Sequence, residues 1–167
     1  VPYLEKSGFD MKYYLCKAAI LGIKAIKQED PNAIIFLVEP LIKVHNNGFL
    51  SDEELFKVNQ YQFEAVNMIS GRLCPELGGN EDLLDIFGLN YYWNCQWEEG
   101  GETVYWPDPL KKRFPLNQML QDVYKSFGKP IFLSETGHFG VGRVPWIEEI
   151  SEECEIASIN GVPFYGI

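Results

Sequence analysis

Residues 131–140 read Ile-Phe-Leu-Ser-Glu-Thr-Gly-His-Phe-Gly, "IFLSETGHFG". A short, continuous apolar run halts on one carboxylate, Glu135, and glycines and His138 follow at once. A strand apolar at consecutive positions suits a parallel sheet whose two faces are both covered. The same pattern recurs upstream. "AIIFLV" at 33–38 ends at Glu39-Pro40, and "DIFGLNYY" at 85–92 ends on Asn90, Tyr91 and Tyr92.

Between these runs the apolar period changes from strand to helix. Asp10 is read as a cap for a helix carrying Met11, Tyr14, Leu15, Ala18, Ala19, Gly22, Ile23 and Ile26, bounded by Pro31. Ser51-Asp-Glu-Glu54 is a capping box, and one helix is expected after it through Leu55, Val58, Val66, Ile69 and Leu73. Pro115 opens a helix with Leu116, Met119, Leu120, Val123 and Tyr124, stopped by Gly128. Pro145 suits the first turn of a last helix, with Trp146, Ile150, Cys154 and Ala157 on one stripe and Asn160-Gly161 at its end. "VPFYGI" starts a fourth strand, and 93–114 reads as a long loop with Trp93, Trp97, Tyr105 and Trp106.

Helices alternating with strands mean βα units and a parallel sheet, hence an α/β fold, read as a single domain over 1–167. Two architectures fit: part of a (βα)8 barrel, or a small doubly wound sheet. A doubly wound nucleotide binder would carry a glycine-rich loop after a strand. "GHFGVG" at 137–142 has three glycines but neither the G-x-G-x-x-G order nor the later partner acid.

Composition narrows the function. With 46% apolar residues among 167, the chain can build a sizeable core, and the composition argues against disorder. A net charge of -10 argues against a nucleic-acid groove or an anionic membrane as partner. No apolar run reaches membrane-spanning length, and the first residues have no signal-peptide shape. Cys16, Cys74, Cys95 and Cys154 form no C-x-x-C pair; Cys16 and Cys154 are read as buried thiols, and a reducing, cytoplasmic setting is expected. His45 and His138 are too few for a zinc site, so no metal or cofactor is expected. The chain lacks an initiating Met and is read as a fragment or processed form.

Three strands end on polar groups: Glu39, then Asn90 with Tyr92, then Glu135. In a barrel the carboxyl ends of the strands form the active face. Side chains alternate along a strand, so Asn90 and Tyr92 share one face and Tyr91 takes the other. A phenol there could hydrogen-bond a carboxylate of a neighbouring strand and hold it ionised and oriented. Each residue also has a plainer reading. A lone Glu after a strand is more often a cap or ion-pair partner. Loop Trp and Tyr are more often packing residues, His138 a loop histidine, His45 and Asn46 turn residues.

Taken together, two segments carry a resemblance. "DIFGLNYYWN" resembles the sixth-strand segment of glycoside hydrolase family 1, D-x-x-G-x-N-Y-Y, and "IFLSETG" its seventh-strand segment, I-x-I-T-E-N-G. The order is the family's, and the match is to a divergent branch. The resemblance implies the second half of a TIM barrel, from the fourth helix to the start of the eighth strand, in a retaining β-glycosidase with a carbohydrate substrate. It implies Glu135 as nucleophile, Tyr92 as the residue bonding it and Asn90 as a residue lining the sugar site. Glu39, Trp93, Trp97 and His138 are further candidate substrate contacts. Thr136 stands where the family has Asn, and no N-E-P segment, which would carry the general acid, occurs in 1–167. Val38-Glu39-Pro40 falls at the fifth-strand place instead, so the acid is expected from the remainder of the barrel. Two other classes stay open: a carbohydrate-binding module that does not cut, and an unrelated α/β enzyme using 137–142 to bind an anion.

Overall fold

The computed structural model describes residues 7–110 and 112–167. Residues 1–6, part of the stretch examined for a signal peptide, and Lys111 within the 93–114 loop lie outside the described residues. In chain order the elements are α1 (Gly8–Glu29), β1 (Phe36–Pro40), β2 (Lys43–His45), α2 (Asp52–Gln60), α3 (Glu64–Ile69), β3 (Ile86–Tyr92), β4 (Gln96–Glu98), α4 (Leu116–Phe127), β5 (Ile131–Gly137) and α5 (Arg143–Ile159). The chain forms two compact units, 1–37 with 63–85 and 38–62 with 86–167.

In the first unit α1 packs on α3. Cys16 is buried at the contact and its Sγ lies 3.8 Å from the Ala65 carbonyl, while Lys12 pairs with Glu64. Ser7, not Asp10, occupies the N-cap, and no side chain caps the helix. Asp10 lies in the first turn, where its charge still meets the positive end of the helix. Lys27 Nζ lies 2.8 Å from Asp85 Oδ2, which also accepts the Ile35 amide at 2.7 Å. Gly79 passes so close to the carbonyls of Met68 and Ile69 that any Cβ would collide with them.

The helix expected from Ser51 to Leu73 is interrupted. A single 3-10 turn at Tyr61–Phe63 separates α2 from α3. Gln62 explains the break within its own unit: its amide donates to Ile42 O at 3.1 Å and accepts from Ile42 N at 2.8 Å, tying the turn to an extended segment. The capping box forms as read, with Ser51 Oγ accepting from Glu54 N and the Glu54 carboxylate accepting from Ser51 N.

The second unit holds the sheet ends. Strand order is β1-β3-β5, with β3 and β5 parallel, and β1 contributes Val38–Pro40 to this unit. The next segment begins a further parallel pairing, Phe164 against Ile131. Strand order thus follows chain order, with no reversal among the described residues, whereas a doubly wound sheet turns back at a switch point. α4 and α5 cover one face. Leu116, Met119, Leu120 and Val123 of α4 and Trp146, Ile150, Cys154 and Ala157 of α5 are all buried, opposite Phe87, Leu89 and Tyr91 of β3 and Ile131 and Leu133 of β5.

Two local readings are corrected. β1 is not covered on both faces: its residues alternate in burial, with Phe36 and Val38 on one face 49% and 45% exposed and Leu37 and Glu39 on the other half-buried. His45 and the 93–114 segment are not only turn and loop. β2 and β4 pair in parallel as a second, two-stranded sheet, Lys43 opposite Gln96, Val44 opposite Trp97 and His45 opposite Glu98. The buried Asn59 of α2 clamps β2, accepting from Val44 N at 2.9 Å and donating to Val44 O at 3.0 Å.

Candidate active site

β3 ends as alternation requires. Tyr91 is buried, while Asn90 and Tyr92 emerge on the opposite side. Tyr92 is pinned at the strand end by a tight turn: Cys95 N donates to Tyr92 O at 3.0 Å, and Cys95 Sγ accepts from Tyr92 N at 3.2 Å.

β5 does not obey simple alternation. Leu133 pairs with Leu89, but the next pair is Asn90 with Glu135, so Ser134 is an extra residue in β5. Such a bulge re-aims the side chains beyond it. Without it Glu135 would fall on the side of Leu133 and Tyr91, among buried groups. With it Glu135 shares the side of Asn90 and Tyr92, and is exposed. Tyr92 Oη donates to Glu135 Oε2 at 3.0 Å, and Ser134 Oγ donates to Asn90 Oδ1 at 2.7 Å. The strand runs on through Glu135 to Gly137 instead of stopping at the carboxylate. The hydrogen bond to Glu135, then the cost of removing water and then the carboxylate's charge, hold the Tyr92 phenol above its ordinary range.

Beside these groups stands a cluster of rings. Trp93, next after Tyr92, stacks on Tyr105 with centroids 5.6 Å apart and meets Phe139 edge-on at 5.7 Å and His138 at 5.8 Å. Trp106 closes on His138 at 5.1 Å. The His138 ring lies against Gly142, where a Cβ would collide with it, and its Nδ1 is 2.9 Å from the Phe139 amide. Trp146 donates from Nε1 to Thr136 Oγ1 at 2.9 Å and stacks on Tyr91.

The loop after β3 is fixed by a buried polar hub. Gln96 is fully buried; its amide exchanges two bonds with the Phe114 backbone, both 2.8 Å, and donates to Tyr91 Oη at 2.7 Å. His45 Nε2 lies 2.8 Å from Gln96 Oε1. Arg113 donates to the carbonyls of Trp93 and Val104 and to Tyr91 Oη, at 2.8, 2.6 and 2.7 Å. Burial raises the Tyr91 phenol, while Arg113 and Gln96 oppose that. A cleft of about 340 Å³ opens here, lined by Tyr91, Trp106, Arg113, Glu149 and Glu153. It does not include Glu135.

Of the residues singled out from sequence, Asn90, Tyr92 and Glu135 come together, and Trp93 and His138 form the adjoining ring cluster. Glu39 lies on β1, which flanks β3 on the side away from β5; Leu41 N donates to Asn90 O at 2.9 Å just beyond it. Two strand spacings, about 10 Å, separate β1 from β5. Trp97 sits in the second sheet, opposite Val44 and bridged to Thr103, and is outside the ring cluster among the described residues. Ser134, Tyr105, Trp106 and Phe139 were not singled out as site residues. The two aromatics of the 93–114 loop were visible as a signal, but a bulge at Ser134 has none in the sequence. Among the described residues no group of three His, Cys, Asp or Glu side chains could hold a metal ion, and no helix is long and apolar enough to cross a membrane.

Comparison with solved structures shows the fold. A hyperthermophilic β-glucosidase from Pyrococcus furiosus aligns over 98% of this chain and 38% of its own, with a TM-score of 0.75 and 16% identity. A family 1 β-glucosidase from Thermotoga maritima aligns over 93% of this chain and 44% of its own, with a TM-score of 0.66 and 16% identity. The chain therefore spans less than half the length of the structures it matches. No family model matches the sequence, and no curated protein matches it.

Proposed function

We propose that the chain is the C-terminal half of a (βα)8 barrel of a retaining, family 1-like β-glycosidase, acting on the O-glycosidic bonds of a carbohydrate. The observation that carries this reading is the Tyr92–Glu135 hydrogen bond at the ends of two adjacent parallel strands. The likeness to β-glucosidase barrels adds to it.

In a retaining mechanism one carboxylate attacks the anomeric carbon and forms a glycosyl ester, while a second carboxyl group about 5 Å away protonates the leaving oxygen. Glu135 is the proposed nucleophile. Tyr92 donates to one of its oxygens and leaves the other free to attack. Asn90, whose Oδ1 is taken by Ser134, turns its NH2 donors to the sugar. Trp93 and His138 offer ring faces to the sugar's apolar face. Glu39 is a contact at the far side of β3, and Trp97 an outlying one. The general acid belongs to the remainder of the barrel, in an N-E-P segment outside 1–167. The strand distance separating β1 from β5 disfavours Glu39 for that role.

The test is covalent trapping. The intact protein is incubated with activated 2-deoxy-2-fluoro-β-glycosides, glucoside and galactoside, and digested for mass spectrometry. A fluoroglycosyl ester on the peptide holding Glu135 is expected. Sugar binding without label would favour the non-cutting module. Nucleotide binding without either would favour an anion site at 137–142, although Gly142 there is taken up by the His138 ring.

A further inference from the structure

The reading above rests on where Glu135 points, and strand alternation alone does not put it there. From Ile131 and Leu133, both buried, period-two alternation carries on to Glu135. It would aim the carboxylate at the layer holding Tyr91 and Trp146, which are themselves buried. The extra residue at 134 reverses this, so Ser134 and Glu135 both face the Asn90 side. A bulge leaves the inserted residue outside the regular ladder, so that something else must fasten it. Here the fastening is the 2.7 Å bond from Ser134 Oγ to Asn90 Oδ1, across to the very residue with which the ladder resumes.

We infer that Ser134 is a positioning residue: its hydroxyl pins the β5 bulge to Asn90 and so turns Glu135 to the Tyr92 side, and it also fixes the sense of the Asn90 amide. This deepens the glycosidase reading and depends on it only for the catalytic consequence.

The consequence runs through two neighbours. If the pin is lost, β5 can slip toward regular alternation, a one-residue change that sends the side chain to the opposite face. Glu135 then leaves Tyr92. Asn90 loses the acceptor role that fixed its amide, so its NH2 no longer has one direction. Threonine at 134 keeps the hydroxyl and should keep the bulge.

The experiment compares the parent with Ser134→Ala and Ser134→Thr in the intact protein. Tyrosine carrying 13C at Cζ reports phenol ionisation by NMR, and Tyr92→Phe identifies the Tyr92 signal. In the parent the Tyr92 phenol titrates above the ordinary tyrosine range, because it donates to Glu135. In Ser134→Ala its midpoint should move down toward that range, and Ser134→Thr should restore the parental value. With a dinitrophenyl β-glycoside, kcat should fall roughly 10- to 100-fold in Ser134→Ala with KM little changed, the cost of a misplaced reacting group. A Tyr92 titration in Ser134→Ala that matches the parent would overturn the inference. Failure of the parent to label at Glu135, with the Tyr92 midpoint still moving in Ser134→Ala, would sink the glycosidase reading and support the positioning claim.

Discussion

Replacing Tyr92 by Phe removes one hydrogen bond and little else, which makes it the sharpest test of the site. The phenol donates to Glu135 Oε2 at 3.0 Å, the long end of the range for an O–H donor. A hydrogen bond to a charged group contributes about 1.5–3 kcal/mol. Glu135 is exposed, so water replaces part of that interaction and the lower end applies. What is lost is mainly orientation. A glutamate has up to about 1.5–2 kcal/mol of rotamer freedom to lose, and Tyr92 holds one oxygen fixed. A net loss of about 1–1.5 kcal/mol at the transition state slows the reaction roughly five- to thirteenfold. The assay is the rate of covalent labelling by a dinitrophenyl 2-deoxy-2-fluoro-β-glycoside, whose leaving group needs no proton and so reports nucleophilic attack alone. Stability by urea denaturation should change by no more than about 0.5 kcal/mol, as for a surface change. A labelling rate within twofold of the parent, or faster, would refute the claim that Tyr92 positions the nucleophile.

Glu135→Gln should abolish labelling and nearly all turnover while leaving urea stability within about 0.5 kcal/mol, since the side chain keeps its shape and is exposed; substantial turnover in that variant would remove Glu135 from the chemistry. Ile150→Ala, at a 1% exposed position where α5 meets the sheet, should cost about 2–5 kcal/mol in urea denaturation; a cost under 1 kcal/mol would contradict the packing described for α5. Burial, then the neighbouring Glu153 charge, push the Cys154 thiol up to about 12 from an ordinary value of 9.0. It is raised in the folded state, so its contribution is fully present below pH 9 and is lost as pH rises from about 9 to about 12. The native protein should leave Cys154 unmodified by iodoacetamide at pH 8 and expose it only on unfolding; rapid native alkylation would show the burial to be wrong.

Helix by helix, much of the fold could be read from periodicity and capping chemistry. The capping box at Ser51, the stop at Gly128 and the stripe Trp146–Ile150–Cys154–Ala157 are local patterns whose causes lie within a few residues. Where local pattern failed, a distant partner had intervened. Gln62 traded helix continuation for the Ile42 backbone. β2 and β4 found each other across 50 residues, with Asn59 and Gln96 as clamps that no short-range signal announces. β1 read as covered because its residues are apolar, but apolarity alone does not say which layers are present to cover them.

The site divides the same way. The sequence by itself determined the parallel α/β pattern and the facing of Asn90 and Tyr92, because alternation is a property of any single strand. It also supplied Glu135 as a carboxylate at a strand end. Only the tertiary structure decided that Glu135 faces Tyr92. That outcome depends on one extra residue in β5, and the register of two strands is a relation between them, settled by the Ser134–Asn90 contact and not written in either segment alone.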